Sequence, residues 1–519
     1  MQEVAAAVPM AVSGHAVVSF LGYLLLLLVI GVLSSRFSSE GIDEFFVGGR
    51  RMSRLVVALS AVVSGRSAWL LLGVTGMAYV MGASALWAVT GYTVAELFLF
   101  LFYAGRLRRF SETYDCITLP DFFAARFGDE DGRLRLTLAV VILVFMVVYV
   151  ASQFVGGGKA MSASFGMSHW AGVLVTAAIV LGYTTLGGFL AVSLTDTLQA
   201  LLMILGLVVL PALAITHGGG WGPVMGELAS WNPAFVDPIS LGFGAWLGFV
   251  GIGLGSPGNP HILIRYMSIR DPEQFRWAAW VGTSWNVVMG GGAVLVGMAG
   301  RIYFPDAGHL LAGDTENLYP MLAQTHLHPI LFGVVVASIF AAIMSTADSQ
   351  LLVAASAVVR DVYQKVVRKN RPVPRQRLVL YSRAMVAILV GVALVLGWLA
   401  QSLVFWLVLF AWAGLGAALG PTSILALFWR GTTRAGVLAG LITGTVVTFV
   451  WKLTPALDAL LYELIPAFIL ALAVTLAVSR VTRPPPERDE LMAAMRGPGY
   501  RPRPTSPAAA GPPSPGARR

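Results

Sequence analysis

The chain has 519 residues, 57% hydrophobic and 12% charged, with a mean hydropathy of +0.77. A soluble domain carries about a quarter charged residues, so this composition excludes an ordinary soluble module and points to a polytopic membrane protein. The formal charge of +9 falls in short loops and the tail, which argues against nucleic acid, and the single cysteine, Cys116, excludes a disulfide framework or a cysteine metal cluster.

Apolar runs of about 18 residues or more predict about thirteen spans. They lie near 15–35, 54–80, 84–105, 136–161, 168–187, 190–216, 240–264, 275–300, 329–358, 379–400, 403–428, 433–453 and 459–480. The first run lacks a basic leader and a small-residue cleavage site, so no cleavable signal peptide is expected. Loops 36–54, 106–135, 265–276 and 360–383 carry the Lys and Arg, whereas 217–239 carries none and 301–328 only Arg301. This alternation predicts a multi-pass protein of the cytoplasmic membrane, N-terminus outside and C-terminus cytoplasmic.

Inside the second span the polar stretch Ser64-Gly65-Arg66-Ser67 interrupts the apolar run. An unbroken helix would put the Arg66 guanidinium near the bilayer midplane, at roughly 2.5 kcal/mol or more. Irregular backbone survives at that depth only when it lines a cavity or is buried in protein. A second interruption, GLGSPGNPH at 253–261, carries two prolines and three glycines and cannot easily continue a helix. It lies five spans after the first, so a repeat of spans 2–6 and 7–11 would be inverted. Two broken helices at matching positions are the sequence mark of a transporter site; kinks tolerated in membrane helices are the plainer alternative.

The fold class predicted is therefore all-α, with about thirteen transmembrane helices and a five-plus-five inverted repeat containing two broken helices. The divisions are an accessory helix and first cytoplasmic loop (1–53), two repeat halves (54–216 and 217–428), C-terminal accessory helices (429–480) and a tail (481–519). The tail, rich in Pro and Arg, is expected to be disordered.

Seven stretches carry a family resemblance: SGRSAWLLLG (64–73), AGRLRRFSE (104–112), ITLPDFFAARF (117–127), FGMS (165–168), GGFLAVSLTDTLQALLMI (187–204), GNPHIL (258–263) and AAIMSTADSQLLVAASAVVRDVY (341–363). Together they resemble the sodium/solute symporter family, most closely its proline-carrying branch. The resemblance implies secondary active transport: symport of a small organic solute, a proline-like amino acid or other carboxylate, coupled to sodium. It implies a sodium site from the carbonyls of Val63, Arg66 and Ala342 and the hydroxyls of Ser345 and Thr346. A hard cation takes such oxygen ligands, although membrane Ser and Thr often bond only their own helix.

Asp196, matching an ion-coupling aspartate, is joined by Asp348 and Ser349; the alternative makes Asp196 an exposed helix cap. The substrate positions implied are Ser67, Ala68, Trp69, Tyr149, Ile252 and Ser256. The branch has an aspartate at Gly65, a methionine at Arg66, and aromatic residues at Ile252 and Ser256. Loss of those aromatics would enlarge or reshape the pocket. The Arg66 cation leaves three roles open: an internal pair with Asp196 or Asp348, a clamp for a substrate carboxylate, or a replacement for sodium. His261 is either a proton carrier or a structural residue of its turn. Proton-coupled or cation-independent transport and a membrane sensor module are the rival functions. An enzyme is not expected, since no nucleophile–base pair, phosphate loop or metal cluster appears. The partners expected are the small solute and the lipid bilayer, with no nucleic acid and no obligate protein partner.

Overall fold

The computed structural model describes residues 13–38, 42–369, 371, 373–399 and 403–496. Helix dominates, and the only extended pairing among the described residues is a parallel bridge between Met52 and Ile269. In chain order the main helices are α1 (Gly14–Ser38), α2 (Arg54–Ser64), α3 (69–81), α4 (86–113), α5 (Leu119–Phe127), α6 (Arg133–Phe165), α7 (His169–His217), α8 (Phe243–Gly251), α9 (Pro260–Ser268), α10 (Phe275–Tyr303), α11 (Pro329–Val367), α12 (Arg375–Leu399), α13 (Val404–Phe428), α14 (Arg434–Leu453), α15 (Leu464–Val481) and α16 (Arg488–Ala493). Ten helices among the described residues are long and apolar enough to cross a membrane.

Each expected span falls on helix, but the boundaries have different causes. At about 1.5 Å per residue, α7 would reach far beyond a 30 Å hydrocarbon layer. Its one non-helical residue is Gly188, φ 58° and ψ −162°, between the two spans predicted there. The breaks in spans 2 and 7 are real: α2 stops at Ser64 before α3 begins, and a tight 3-10 segment, Ile252–Gly258, separates α8 from α9.

The core helices pack around those breaks. α11 lies against α6, α7 and α1, α10 against α2, α3 and α7, and α13 against the Ile252–Gly258 segment. Close approach there needs missing side chains: a Cβ on Gly253 would sit 2.2 Å from the Gly91 carbonyl oxygen of α4. Small residues let membrane helices meet backbone to backbone, where dispersion rather than hydrophobic burial holds them together. The outward faces are apolar and exposed, as with Leu33, Trp280 and Trp398, consistent with lipid as their solvent.

Two expectations fail here. Arg265 is not a loop residue: α9 runs to Ser268, and the arginine is 1% exposed. The tail is not structureless from 481, because α16 forms and buries Leu491, Met492 and Met495 in the bundle. Residues 497–519, the rest of that expected tail, lie outside the described residues.

Candidate functional site

The first break is organised by hydrogen bonds from the backbone it frees. Gly65 N–H donates to the Val62 carbonyl at 3.1 Å and Arg66 N–H to that of Val63 at 3.0 Å, which ends α2. Ser67 then takes φ 52°, a left-handed conformation costly for a residue with a side chain. Its strain is accompanied by two bonds: Trp69 N–H donates to Ser67 Oγ at 3.1 Å, and Ala68 N–H to Gln153 Oε1 of α6 at 3.0 Å. At the second break Trp412 Nε1 donates to the Ile252 carbonyl at 2.8 Å, Asn259 Nδ2 to that of Gly255 at 2.8 Å, and Ser423 Oγ to that of Pro257 at 3.0 Å. Gly255 is required: its Cβ would lie 1.9 Å from Trp412 Nε1.

The two breaks face one another across a small buried cavity with an empty volume of about 240 Å³. Trp69, Tyr149 and Ile252, three of the six expected substrate residues, line it together with Arg66, Tyr92 and Trp412. Ser67, Ala68 and Ser256 are not on its wall. Ser67 Oγ accepts Trp69 N–H, and Ser256 Oγ is buried without a hydrogen-bond partner among the described residues. Trp412 from α13 and Tyr92 from α4 supply aromatic walls to the cavity. His261 packs edge-on to Tyr149, ring centroids 5.9 Å apart.

Beside the cavity, α11 meets the end of α2. Ser345 Oγ lies 3.4 Å from the Val63 carbonyl oxygen and 3.1 Å from that of Ala342, and Thr346 Oγ1 donates to the Ser64 carbonyl at 3.0 Å. Three of the five expected sodium ligands, Val63, Ala342 and Ser345, thus meet, and Thr346 bonds the carbonyl next to Val63. The fifth, the Arg66 carbonyl, accepts Leu70 N–H at 3.0 Å, continuing the helix, with one lone pair left.

The ion-coupling set adjoins this cluster. Ser349 Oγ is 2.8 Å from Asp348 Oδ1 and 2.8 Å from the Ser345 carbonyl. Tyr183 donates to Asp348. Asp196 is fully buried, not an exposed cap. Its Oδ2 accepts from Ser60, from Ser64 at 3.4 Å and from Arg265 Nη2 at 2.9 Å, while Oδ1 has no partner among the described residues.

Arg66 pairs with neither Asp196 nor Asp348. Its guanidinium forms a buried ion pair with Glu96 of α4, lies 3.7 Å from the Tyr92 ring centroid, and bonds the Val62 carbonyl through Nε at 3.3 Å. Asn286 Nδ2 donates to Glu96 Oε2 at 2.7 Å. The reason is geometric: Arg265 already occupies Asp196, and α4 presents Glu96 and Tyr92 to the break from its other side. Sequence reasoning missed Glu96, Tyr92, Asn286, Arg265 and Trp412. The usable signal was an acid alone in the apolar run 84–105, which needs a buried partner as much as Arg66 does.

A family profile, the sodium:solute symporter family, matches residues 45–444. A sodium/proline symporter of Staphylococcus aureus (strain USA300 / TCH1516) is 37% identical over 477 residues, covering 89% of this chain and 92% of the relative. Its counterpart in strain JH9 is 36% identical over the same length. Among solved structures, a Na+-coupled sialic acid symporter in a substrate-bound outward-open state superposes with a TM-score of 0.77 at 18% identity, covering 91% of this chain and 99% of that one. MHP1, a nucleobase-cation-symport-1 family transporter in a closed conformation, gives 0.54 at 14% identity, with 87% and 98% coverage. These two likenesses concern the fold alone.

Proposed function

The chain belongs to the sodium:solute symporter family, and from that premise we propose that it drives uptake of proline or a closely similar small amino acid with a sodium gradient. The observation that carries this reading is the meeting of α11 with the first break, where two hydroxyls and two carbonyls converge beside an aromatic cavity. Sodium, as co-transported cargo, takes the carbonyls of Val63, Ala342 and Arg66 with the hydroxyls of Ser345 and Thr346. Binding exchanges their mutual hydrogen bonds for ion contacts and so ties α11 to the first break. The solute lies between the breaks, its ring or aliphatic part against Trp69, Tyr149 and Trp412. Asp196, Asp348 and Ser349 form the polar exit from the sodium site.

The Arg66 charge is answered by Glu96, so a sodium ion near Val63 faces a neutral pair rather than a bare guanidinium. That arrangement favours sodium coupling over replacement of sodium by Arg66. It also leaves Arg66, on the cavity wall, able to attract a solute carboxylate through a charge-assisted fork. The arginine-rich loops face the cytoplasm of the cell membrane, with the N-terminus outside.

Proteoliposomes loaded without sodium test the proposal. Labelled proline should accumulate several-fold when a sodium gradient is imposed and remain at the leak level with potassium or a pH gradient. Uptake blind to sodium refutes the coupling, and sodium-driven uptake of another solute that proline does not inhibit refutes the substrate class.

A further inference from the structure

On the arginine-rich side of the bundle, away from the transport cavity, lies an open groove. It runs between the end of α4, the start of α10, the last residue of α13 and the segment after α16. Four guanidiniums line it, those of Arg106, Arg109, Arg276 and Arg496, against one carboxylate, Glu273. Arg109 is paired with Glu273. Arg106 stands over the Phe428 ring at 4.5 Å and donates to the Leu427 carbonyl at 2.9 Å. Neither contact neutralises it, and Arg109 and Arg496 are near enough to repel it. Arg276 and Arg496 are exposed.

The groove is not a plain basic patch. Leu101 and Phe102 form part of its wall and are 42% and 56% exposed. One residue on from Arg276, Trp277 is half-exposed with the Arg54 guanidinium 4.5 Å from its ring centroid, and Trp280 is 77% exposed. Exposed tryptophans of this kind mark the level of the lipid headgroups. A net charge of three positive units at that level, with apolar surface rising from it, matches one class of molecule. We propose that this groove binds an anionic phospholipid carrying two phosphates, headgroup among the arginines and acyl chains along Leu101 and Phe102. Arginine forks grip phosphate oxygens in pairs, and basic pockets between membrane helices on the cytoplasmic side take such headgroups. The lipid would bridge α4, α10 and α13, helices from both halves of the bundle, and so tune transport without entering the cavity.

The full chain, purified in detergent and stripped of lipid, is titrated with labelled diphosphatidylglycerol. Wild type should bind about one molecule per chain, with phosphatidylcholine failing to compete and inorganic pyrophosphate at millimolar concentration failing to displace it. The double variant Arg276→Gln/Arg496→Gln should weaken binding at least about tenfold. Glu273→Gln, which frees Arg109, should strengthen it about threefold, a gain that misfolding cannot imitate. Unchanged binding in the double variant, equal competition by phosphatidylcholine, or displacement by pyrophosphate alone each overturns the proposal. The last outcome would assign the groove to soluble phosphates instead.

Discussion

Glu96→Gln isolates the electrostatic reasoning. The substitution keeps the shape and the hydrogen bond from Asn286 but removes the charge opposite Arg66. Arg66 bonds the Val62 carbonyl and the proposed ion sits at Val63, so we take a separation of roughly 8 Å for the Coulomb energy. With an effective dielectric constant of about 20, 332/(εr) gives about 2 kcal/mol of uncompensated repulsion. Sodium half-saturation for uptake should therefore rise about 30-fold, at 1.4 kcal/mol per tenfold. Stability should fall as well, by about 3–5 kcal/mol, since breaking a buried pair strands its partner. The double variant Arg66→Met/Glu96→Gln removes both charges and should bring the sodium dependence back to within a few-fold of wild type. The assay is initial-rate proline uptake in proteoliposomes against external sodium, with detergent melting curves as the folding control. Wild-type sodium dependence in folded Glu96→Gln, or a double variant as impaired as the single one, would refute the reasoning.

Thr346→Ala removes a proposed ligand hydroxyl and its 3.0 Å bond to the Ser64 carbonyl; sodium half-saturation should rise at least about tenfold, while Thr346→Ser should retain most affinity. Glu316 accepts Val404 N–H at 3.0 Å, Phe405 N–H at 2.8 Å and Lys159 Nζ at 2.6 Å, which fixes the start of α13 and holds Phe405 stacked on Trp69. Glu316→Gln should expose the cavity, so Val408→Cys, on the cavity wall, reacts with a membrane-impermeant maleimide several-fold faster; an unchanged rate in protein that still transports rejects this latch. Burial opposes ionisation of Asp121, yet Arg360 and Arg135 hold its carboxyl below the ordinary value. A lowered folded value means that the stabilisation is complete above the unfolded carboxylate range, near pH 4, and lost as pH falls through the folded value. Asp121→Asn should thus melt lower than wild type at pH 7, with the gap closing on acidification; a gap that does not change with pH contradicts this.

What was legible in the sequence follows from the range of the interactions involved. Span positions and both breaks depend on neighbours a few residues apart, and a run such as GLGSPGNP announces itself because two prolines and three glycines so close together cannot easily continue a helix. The candidate sodium ligands were legible only as a motif, MSTADSQ, since nothing local says that Ser345 meets Val63 across 282 residues. Charges in need of a buried partner were legible, as with Glu96 and Arg66, but which charge meets which was not. Arg265 sits at the edge of an apolar run, where a local rule assigns a loop, but it folds inward because Asp196, 69 residues away, offers a carboxylate.

The same logic explains the exchange at the first break. Where relatives of the proline-carrying branch were expected to hold an acid at the position of Gly65, this chain has none. A side chain there would press on Ile262 Cδ1 at 3.0 Å and Glu96 Oε1 at 3.4 Å. In this chain the carboxylate that answers the break comes from α4, where Glu96 pairs with Arg66. Gly65, Arg66 and Glu96 then act as one unit, and changing one of them alone should be harmful. Introducing Asp at Gly65 in the native background places a second carboxylate beside Glu96, whereas introducing it together with Arg66→Met and Glu96→Gln leaves a single carboxylate at the break. If sodium coupling rests on that local charge, the triple variant transports with sodium and Gly65→Asp alone does not.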